Sequence, residues 1–441
     1  MRRIYPDHAY GEEPRAACYW PTTAEAYDYP IAKGDLSCDV AIIGAGFTGL
    51  SAAIKLSEEG ENVIVLDAEF PGWGASGRNG GFCCLGGAKA GDNALALMFG
   101  EPARREWRQA EAAAVEAAQN LIETHGISCD RHSEGETLLA HTPEHAGTYE
   151  EEARKIERDY GVTAKVLAKE ELAQNGMNGP FYGAITNPLG FALNPFKYTL
   201  GLVKAAEKAG ARIYAKSPVQ RIDHGVQITL TTPKATVKAK RLIVATNGYS
   251  SDDLPKWMRG RYLPTQSNVI VTRQMSDEEL AEQGWTSNQM CFDDRTFMHY
   301  FRLMPNNRML FGMRGGLRSS PAGDVAMHRR IRKDFQNMFP AWSHVETPQS
   351  WHGLLSIAAD FTPYAGPIPE MKGAVTGLSY HGNGVSMASH TGTLLADLVR
   401  GRKPEGLYPK VMQRPPKRFA LGRFRRAFLW PVCGWAMLTG E

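Results

Sequence analysis

One stretch constrains the fold of this chain more than any other: Val40-Ala41-Ile42-Ile43-Gly44-Ala45-Gly46-Phe47-Thr48-Gly49-Leu50. An apolar run rich in β-branched residues stops at glycine, and the residues that follow, Ser51 to Glu59, favour helix. Strand, tight turn and helix in that order are the context a G-x-G-x-x-G pattern requires. Gly44 permits the turn, Gly46 lets a pyrophosphate approach the backbone, and Gly49 lets the helix pack close to the strand. The helix start offers free N–H groups and a positive dipole end to phosphates. A second apolar run, Val63-Ile64-Val65-Leu66, ends at Asp67. That carboxylate follows Gly49 at about the 20-residue spacing expected of an acceptor for ribose hydroxyls. An adenine dinucleotide is the ligand this arrangement predicts.

At 441 residues the chain is long enough for two connected domains. Its 43% hydrophobic and 22% charged residues are ordinary for a soluble globular protein, and a net charge of +3 gives no argument for nucleic acid. No window of 18 uninterrupted apolar residues predicts a membrane span. The opening residues, Met1 to His8, turn polar too early for a secretory signal. Seven cysteines without a C-x-x-C fit a reducing compartment, so a cytoplasmic enzyme is expected. Adjacent Cys83 and Cys84 read as small buried residues near the ligand.

Residues 1–36 carry Tyr5, Tyr10, Tyr19, Trp20, Tyr27 and Tyr29 but little periodicity, as an arm packed over the surface would. After Asp67 comes the glycine-rich loop Pro71–Phe82, whose backbone can lie against a flat or charged ligand. There Arg78 could pair with pyrophosphate and Ser76 donate to it. A long helix is predicted from about Ala94 to His125, and another opens at Asn194-Pro195-Phe196 and ends at Gly210. Arg212–Tyr214, Pro218–Ile222, Val226–Thr231, Ala235–Lys238 and Leu242–Ala245 read as strands, the last stopping at the polar turn Thr246-Asn247-Gly248. From Leu263 onward strands dominate, at Val269–Thr272, Phe297–Leu303 and Met309–Arg314, which predicts a mostly antiparallel layer. A second glycine turn, Tyr380-His381-Gly382-Asn383-Gly384-Val385, precedes a helix pattern from Ser386 to Val399.

With these segments in place the chain resembles the D-amino-acid-oxidase-like superfamily of FAD-dependent oxidoreductases, within the glycine oxidase and sarcosine oxidase fold. It looks closest to the γ-glutamylputrescine oxidoreductase branch. The carriers are DVAIIGAGFTG (39–49), GWGASGRNGG (72–81), ATNGY (245–249), YFRL (300–303), DFTPYAG (360–366) and YHGNGV (380–385). The resemblance implies an α/β fold: a Rossmann-like FAD-binding domain from 37–92, 190–262 and 351–410, and a second, mostly antiparallel α+β substrate domain from 93–189 and 263–350. An arm (1–36) and a basic, apolar tail (411–441) lie outside these. It also implies oxidation of an amine C–N bond by hydride transfer to flavin, with the imine hydrolysed to aldehyde and amine or ammonia. An amino-acid or N-alkyl amino-acid oxidase or dehydrogenase of the sarcosine, glycine or D-amino-acid type is the alternative. O2 or another acceptor would reoxidise the flavin.

By the same resemblance Gly44, Gly46, Phe47, Thr48, Gly49, Asp67 and Ala68 hold the ADP half, with Val219 meeting the adenine edge through its backbone. Gly74, Ala75, Ser76, Arg78, Asn79, Gly80 and Gly81 line pyrophosphate and flavin, beside Ala245, Thr246 and Gly248. His381, Gly382, Asn383, Gly384 and Val385 cap the flavin. Three departures from the family pattern stand out. Asn383 replaces the histidine of the usual G-H-G. No cysteine lies between Cys291 and Cys433 and no histidine in Trp73–Gly81, so FAD is expected to be noncovalent. The strand Met309-Leu310-Phe311-Gly312 lacks the lysine that promotes reaction with oxygen.

For substrate, Tyr300, Arg302, Arg314, Trp351 and His352 fall on segments expected near the open flavin face. Arg302 alternates with Phe301 and Leu303 and could present its guanidinium to a carboxylate, or be a structural arginine. His352 beside Trp351 could shape an amine pocket or be an ordinary hydrogen-bonded histidine. In the tail, Arg414, Lys417, Arg418, Arg423, Arg425 and Arg426 precede the apolar run 427–438, which could lie on an acidic membrane surface or pack against its own domain or a second subunit.

Overall fold

In the computed structural model, which describes residues 1–25 and 28–431, two eight-stranded sheets stand side by side. Tyr27 and residues 432–438 of the tail's apolar run lie outside the described residues. The main path of the first sheet is ordered Tyr364–Pro367, Ala374–Leu378, Ala235–Val244, Gly34–Ile43, Val63–Leu66 and Arg212–Tyr214, and off it Ile228–Thr231 pairs antiparallel with Ala235–Val244 and with Arg221–His224. All its pairings along that path are parallel except the Tyr364–Pro367 edge. Gly34–Ile43 is central, and its side chains alternate: Val40 and Ile42 join one core, Ala41 and Ile43 the other. The first core is closed by the helices Phe47–Glu58, Pro195–Lys208 and Gly384–Val399, the second by Trp257, Met258 and Tyr262. Burial on both faces explains why these strands read as continuous apolar runs.

The second sheet runs Gln349–Ile357, Leu263–Val271, Met309–Arg314, His299–Leu303, Met290–Asp293, Glu136–Leu139, Gly183–Asn187 and Lys165–Ala168. Only the pairing of Met290–Asp293 with Glu136–Leu139 is parallel among them. Its back is filled by Phe301, Phe311, Phe335, Phe339, Trp285 and Trp342 beneath the helix Pro321–Met338.

Several expected elements end elsewhere. The helix predicted over 94–125 is two, Asp92–Phe99 and Glu101–Thr124, divided at Gly100 with φ +88°. Residues 218–220 carry no strand, and pairing begins at Arg221; Val226 is fully exposed in the turn before Ile228–Thr231. Glu101–Thr124 sits in the 93–189 segment but packs Trp107, Ala110, Ala114 and Ala118 into the core of the first sheet. Gln349–Ile357 likewise crosses the expected boundary at 351 and is the edge of the second sheet. The arm is packed as its aromatics imply: Tyr5, Tyr10, Tyr19 and Trp20 are buried.

Candidate functional site

Three turns converge where the parallel strands end. At the first, Gly44 has φ +104°, and a Cβ there would sit 2.8 Å from the Ala245 carbonyl oxygen. A Cβ on Gly49 would overlap the Gly44 carbonyl, so glycine alone allows the helix Phe47–Glu58 to approach this closely. The Asp67 carboxylate accepts from the Ala45 N–H at 2.8 Å and the Glu69 N–H at 2.9 Å. Burial nonetheless pushes its pKa up to about 6, against those two amides.

The second turn is the loop 71–81. Ser76 Oγ accepts from the Phe47 N–H at 3.0 Å, fixing the loop to the helix start. The Asn79 amide donates to the carbonyls of Ala75 and Ser76, and its oxygen accepts from the Gly81 N–H. Arg78 differs from expectation. Its guanidinium donates to the carbonyls of Trp73, Gly74 and His352 and lies 4.6 Å from the Trp73 ring centroid, so it braces the loop and is not directed at a pyrophosphate.

The third turn precedes the helix Gly384–Val399. His381 lies behind the cavity wall: its Nδ1–H donates to Gly87 O at 2.8 Å and its Nε2 accepts from the Ala358 N–H at 3.1 Å. Burial drives its pKa down to about 4, and it is a neutral brace. The Asn383 amide, expected to cap the flavin, donates to Leu85 O at 2.8 Å and Cys84 Sγ at 3.3 Å.

One cavity links the turns. Asp67, Ala68 and Val219 line one end, and Gly382, Asn383, Gly384 and Val385 the other. Between them lie Gly44, Gly46, Phe47, Thr48, Gly74, Ala75, Ser76, Arg78, Asn79, Gly80, Ala245, Thr246 and Gly248. Gly49 and Gly81 stand outside its lining; both are close-packed, Gly81 against Leu193 O. An elongated cradle of backbone, a helix start and a carboxylate where ribose hydroxyls would lie fits an adenine dinucleotide carrying a flat ring system.

Of the five residues expected near the open flavin face, Tyr300 and Arg314 face the cavity, and Arg302, Trp351 and His352 do not. The Tyr300 hydroxyl is 2.8 Å from Ser267 Oγ, and its ring covers Gly312. Arg302 is on the same face of its strand, but two residues along, where the guanidinium reaches past the cavity wall. Its Nε donates to Gly80 O at 3.0 Å, Nη2 to Leu193 O at 2.7 Å and Nη1 to His132 Nε2 at 2.7 Å. Trp351 donates its indole N–H to Arg78 O at 2.7 Å and packs beside Trp20. His352 lies in a separate small cavity against the helix Pro321–Met338.

The charged groups that face in at the Gly382–Val385 end are Arg314, at the end of the lysine-free strand, and Glu136. Arg314 lies over Gly382 and has no hydrogen-bond or ion-pair partner among the described residues. Glu136 sits beside the Cys84 thiol, and burial raises its pKa to about 7 against the Cys84 contact and the Arg314 charge. Phe292 and Met298 wall this end. Nothing in Glu136-Thr137-Leu138-Leu139 distinguishes Glu136 from a surface residue of a strand, so sequence reading passed over it.

The DAO family model, described as FAD dependent oxidoreductase, matches residues 39–398. The probable oxidoreductase OrdL of Haemophilus influenzae is 28% identical over 399 residues, covering 89% of this chain and 90% of that protein. The γ-glutamylputrescine oxidoreductase of Escherichia coli is 28% identical over 384 residues, covering 87% and 88%. Among solved structures, glycine oxidase from Geobacillus kaustophilus shares the fold with a TM-score of 0.69 at 22% identity, covering 84% of this chain and 96% of that one.

Proposed function

Given that this chain belongs to the DAO family of FAD-dependent oxidoreductases, which act on amines or amino acids, we propose that it oxidises a C–N bond of an amine that also carries a carboxylate, in the manner of a γ-glutamylated diamine. One observation carries this reading: Arg314 and Glu136 face the cavity close to Gly382–Val385, and neither charge is paired by the protein. Half-buried charges left this way lose more water once a ligand fills the cavity, which is costly unless the ligand completes them. Arg314 would hold a carboxylate through its planar fork, and Glu136 an ammonium group. Tyr300, Phe292 and Met298 would exclude water from the reacting carbon. FAD, when bound, supplies the hydride acceptor. The helix Gly384–Val399 directs its N-terminus at that end of the cavity, where negative charge is favoured.

The flavin is read as noncovalent. Cys84 reaches the cavity wall, but burial holds its thiol protonated and its sulfur accepts from Asn383. Anaerobic absorbance titration with γ-glutamylated amines, sarcosine, glycine and D-amino acids tests the substrate. Bleaching by the first group supports the proposal, and bleaching by small amino acids alone replaces it with the amino-acid oxidase reading, in which Arg314 takes the α-carboxylate. Recolouring in air identifies O2 as the acceptor; its absence points to another one.

A cytoplasmic setting fits the buried free cysteines. No helix among the described residues is long and apolar enough to cross a membrane. The tail is anchored through Arg425, which donates to both Asp252 oxygens and to Tyr262 O, while Phe424, Phe428 and Trp430 stay exposed beside Arg418 and Arg423. Peripheral contact with an acidic membrane is the reading that pattern supports.

A further inference from the structure

Away from the flavin cavity, three side chains from distant parts of the chain meet beneath the N-terminal arm. His8 stands on the turn Asp7–Tyr10, Asp324 in the first turn of the helix Pro321–Met338, and His352 on the strand Gln349–Ile357. One ligand-capable atom from each lies within 4.8 Å of the others. His8 Nε2 is 2.7 Å from Asp324 Oδ2, and His352 Nε2 is 3.2 Å from Asp324 Oδ1. His352 is 3% exposed, lines a small polar cavity with Glu13, Asp324 and His328, and makes no hydrogen bond through either ring nitrogen. His328 Nδ1 is also buried without a partner.

A hydrogen-bonded cluster satisfies its members; in this one His8 is held through both ring nitrogens, while the buried His352 has neither of its own satisfied. The 3.2 Å separation of His352 Nε2 from Asp324, out of line for a hydrogen bond, is close to the ~3.3 Å between neighbouring ligands on a tetrahedral Zn2+ at ~2.0–2.1 Å. Glu13 Oε2, 2.9 Å from His8 Nδ1, orients the His8 ring from behind, as carboxylates do for metal-bound imidazoles. Two imidazoles and one carboxylate suit Zn2+ and its neighbours better than Ca2+ or Mg2+.

We propose that His8, Asp324 and His352 bind one Zn2+-class divalent cation, with the fourth position open to water in the cavity beside His328. The ion staples the arm to the second sheet. The same arm carries Arg3 and Tyr10 to the rim of the flavin cavity, where Tyr10 packs on Tyr249.

The test is calorimetric titration of tag-free holoenzyme with Zn2+ after chelator treatment. One saturable equivalent is expected, at least tenfold weaker in Asp324→Asn and His8→Gln. His145→Ala, in the more exposed His141, His145 and Asp294 group, should leave it unchanged. Zn2+ should raise Tm in the wild type and not in the two ligand variants, whose FAD content serves as the folding control. If the variants misfold, X-ray absorption of the Zn2+-loaded wild type decides, with imidazole scattering expected. No saturable binding, equal affinity in every variant, loss only on His145→Ala, or sulfur or all-oxygen ligation would overturn the site.

Discussion

Arg78 and Arg302 are buried and Arg314 is half-buried, and their partners differ. Arg78 and Arg302 donate to backbone carbonyls that shape the loop 71–81, whereas Arg314 meets the cavity unpaired. Arg302→Leu strands the carbonyls of Gly80 and Leu193, at ~1–3 kcal/mol for each buried group left unsatisfied. It should lower Tm and FAD content while leaving KM of the flavin-loaded fraction unchanged; a KM change without a stability change would return Arg302 to substrate binding. Arg314→Gln should instead raise KM for a carboxylated amine ~10- to 100-fold, the loss of a charge-assisted hydrogen bond of ~1.5–3 kcal/mol, with Tm held or raised. Steady-state kinetics on substrates with and without the carboxylate separates these effects.

Glu136 adds a pH dependence at the same scale. Its pKa is raised to about 7 by burial, so it is protonated below that pH and ionised above. Binding of a cationic amine should therefore strengthen as pH rises through about 7, and Glu136→Gln should abolish that limb of the KM–pH profile. For stability the sign is opposite. A carboxyl raised above its unfolded pKa contributes stability that is full below ~4.3 and lost as pH rises through about 7. The ligand-free protein should melt lower at pH 8 than at pH 5.5 through this group, and less so in Glu136→Gln.

At the scale of elements, the turn after the central strand depends on the absence of a side chain. Gly49→Ala places a methyl on the Gly44 carbonyl, so the helix Phe47–Glu58 must move off the strand and carry the first-turn amides with it. Loss of FAD from the purified protein is expected, measured by absorbance after gel filtration; retained flavin at wild-type stoichiometry would contradict the packing argument. Periodicity made the strands and helices of the first sheet legible, because burial on both faces writes itself as apolar runs. It failed at Gly100, where a helix pattern continues through a residue with φ +88°, since composition records propensity and not the break in direction.

For the whole molecule, the cavity is closed by both sheets and the arm together, so FAD acts as an internal strut. Saturating FAD at a hundred times its dissociation constant should stabilise the protein by ~2.7 kcal/mol, read as a rise in Tm. Acid precipitation should release all the yellow colour into solution, as noncovalent binding requires.

Sequence alone determined the dinucleotide cradle, because a strand, a turn of glycines and a helix start are neighbours along the chain and their spacing is their geometry. Alternation along a strand also decides which face each side chain takes, so Arg302 stands opposite Phe301 and Leu303. Only the tertiary structure decided how far along that face the cavity extends. It ends between Tyr300 and Arg302, and it draws in Glu136 and Arg314 from strands separated by more than half the second sheet's sequence. The place of Glu136 is fixed by packing between remote segments, and no local pattern of residues encodes it, whereas Arg314 follows from the strand that carries it.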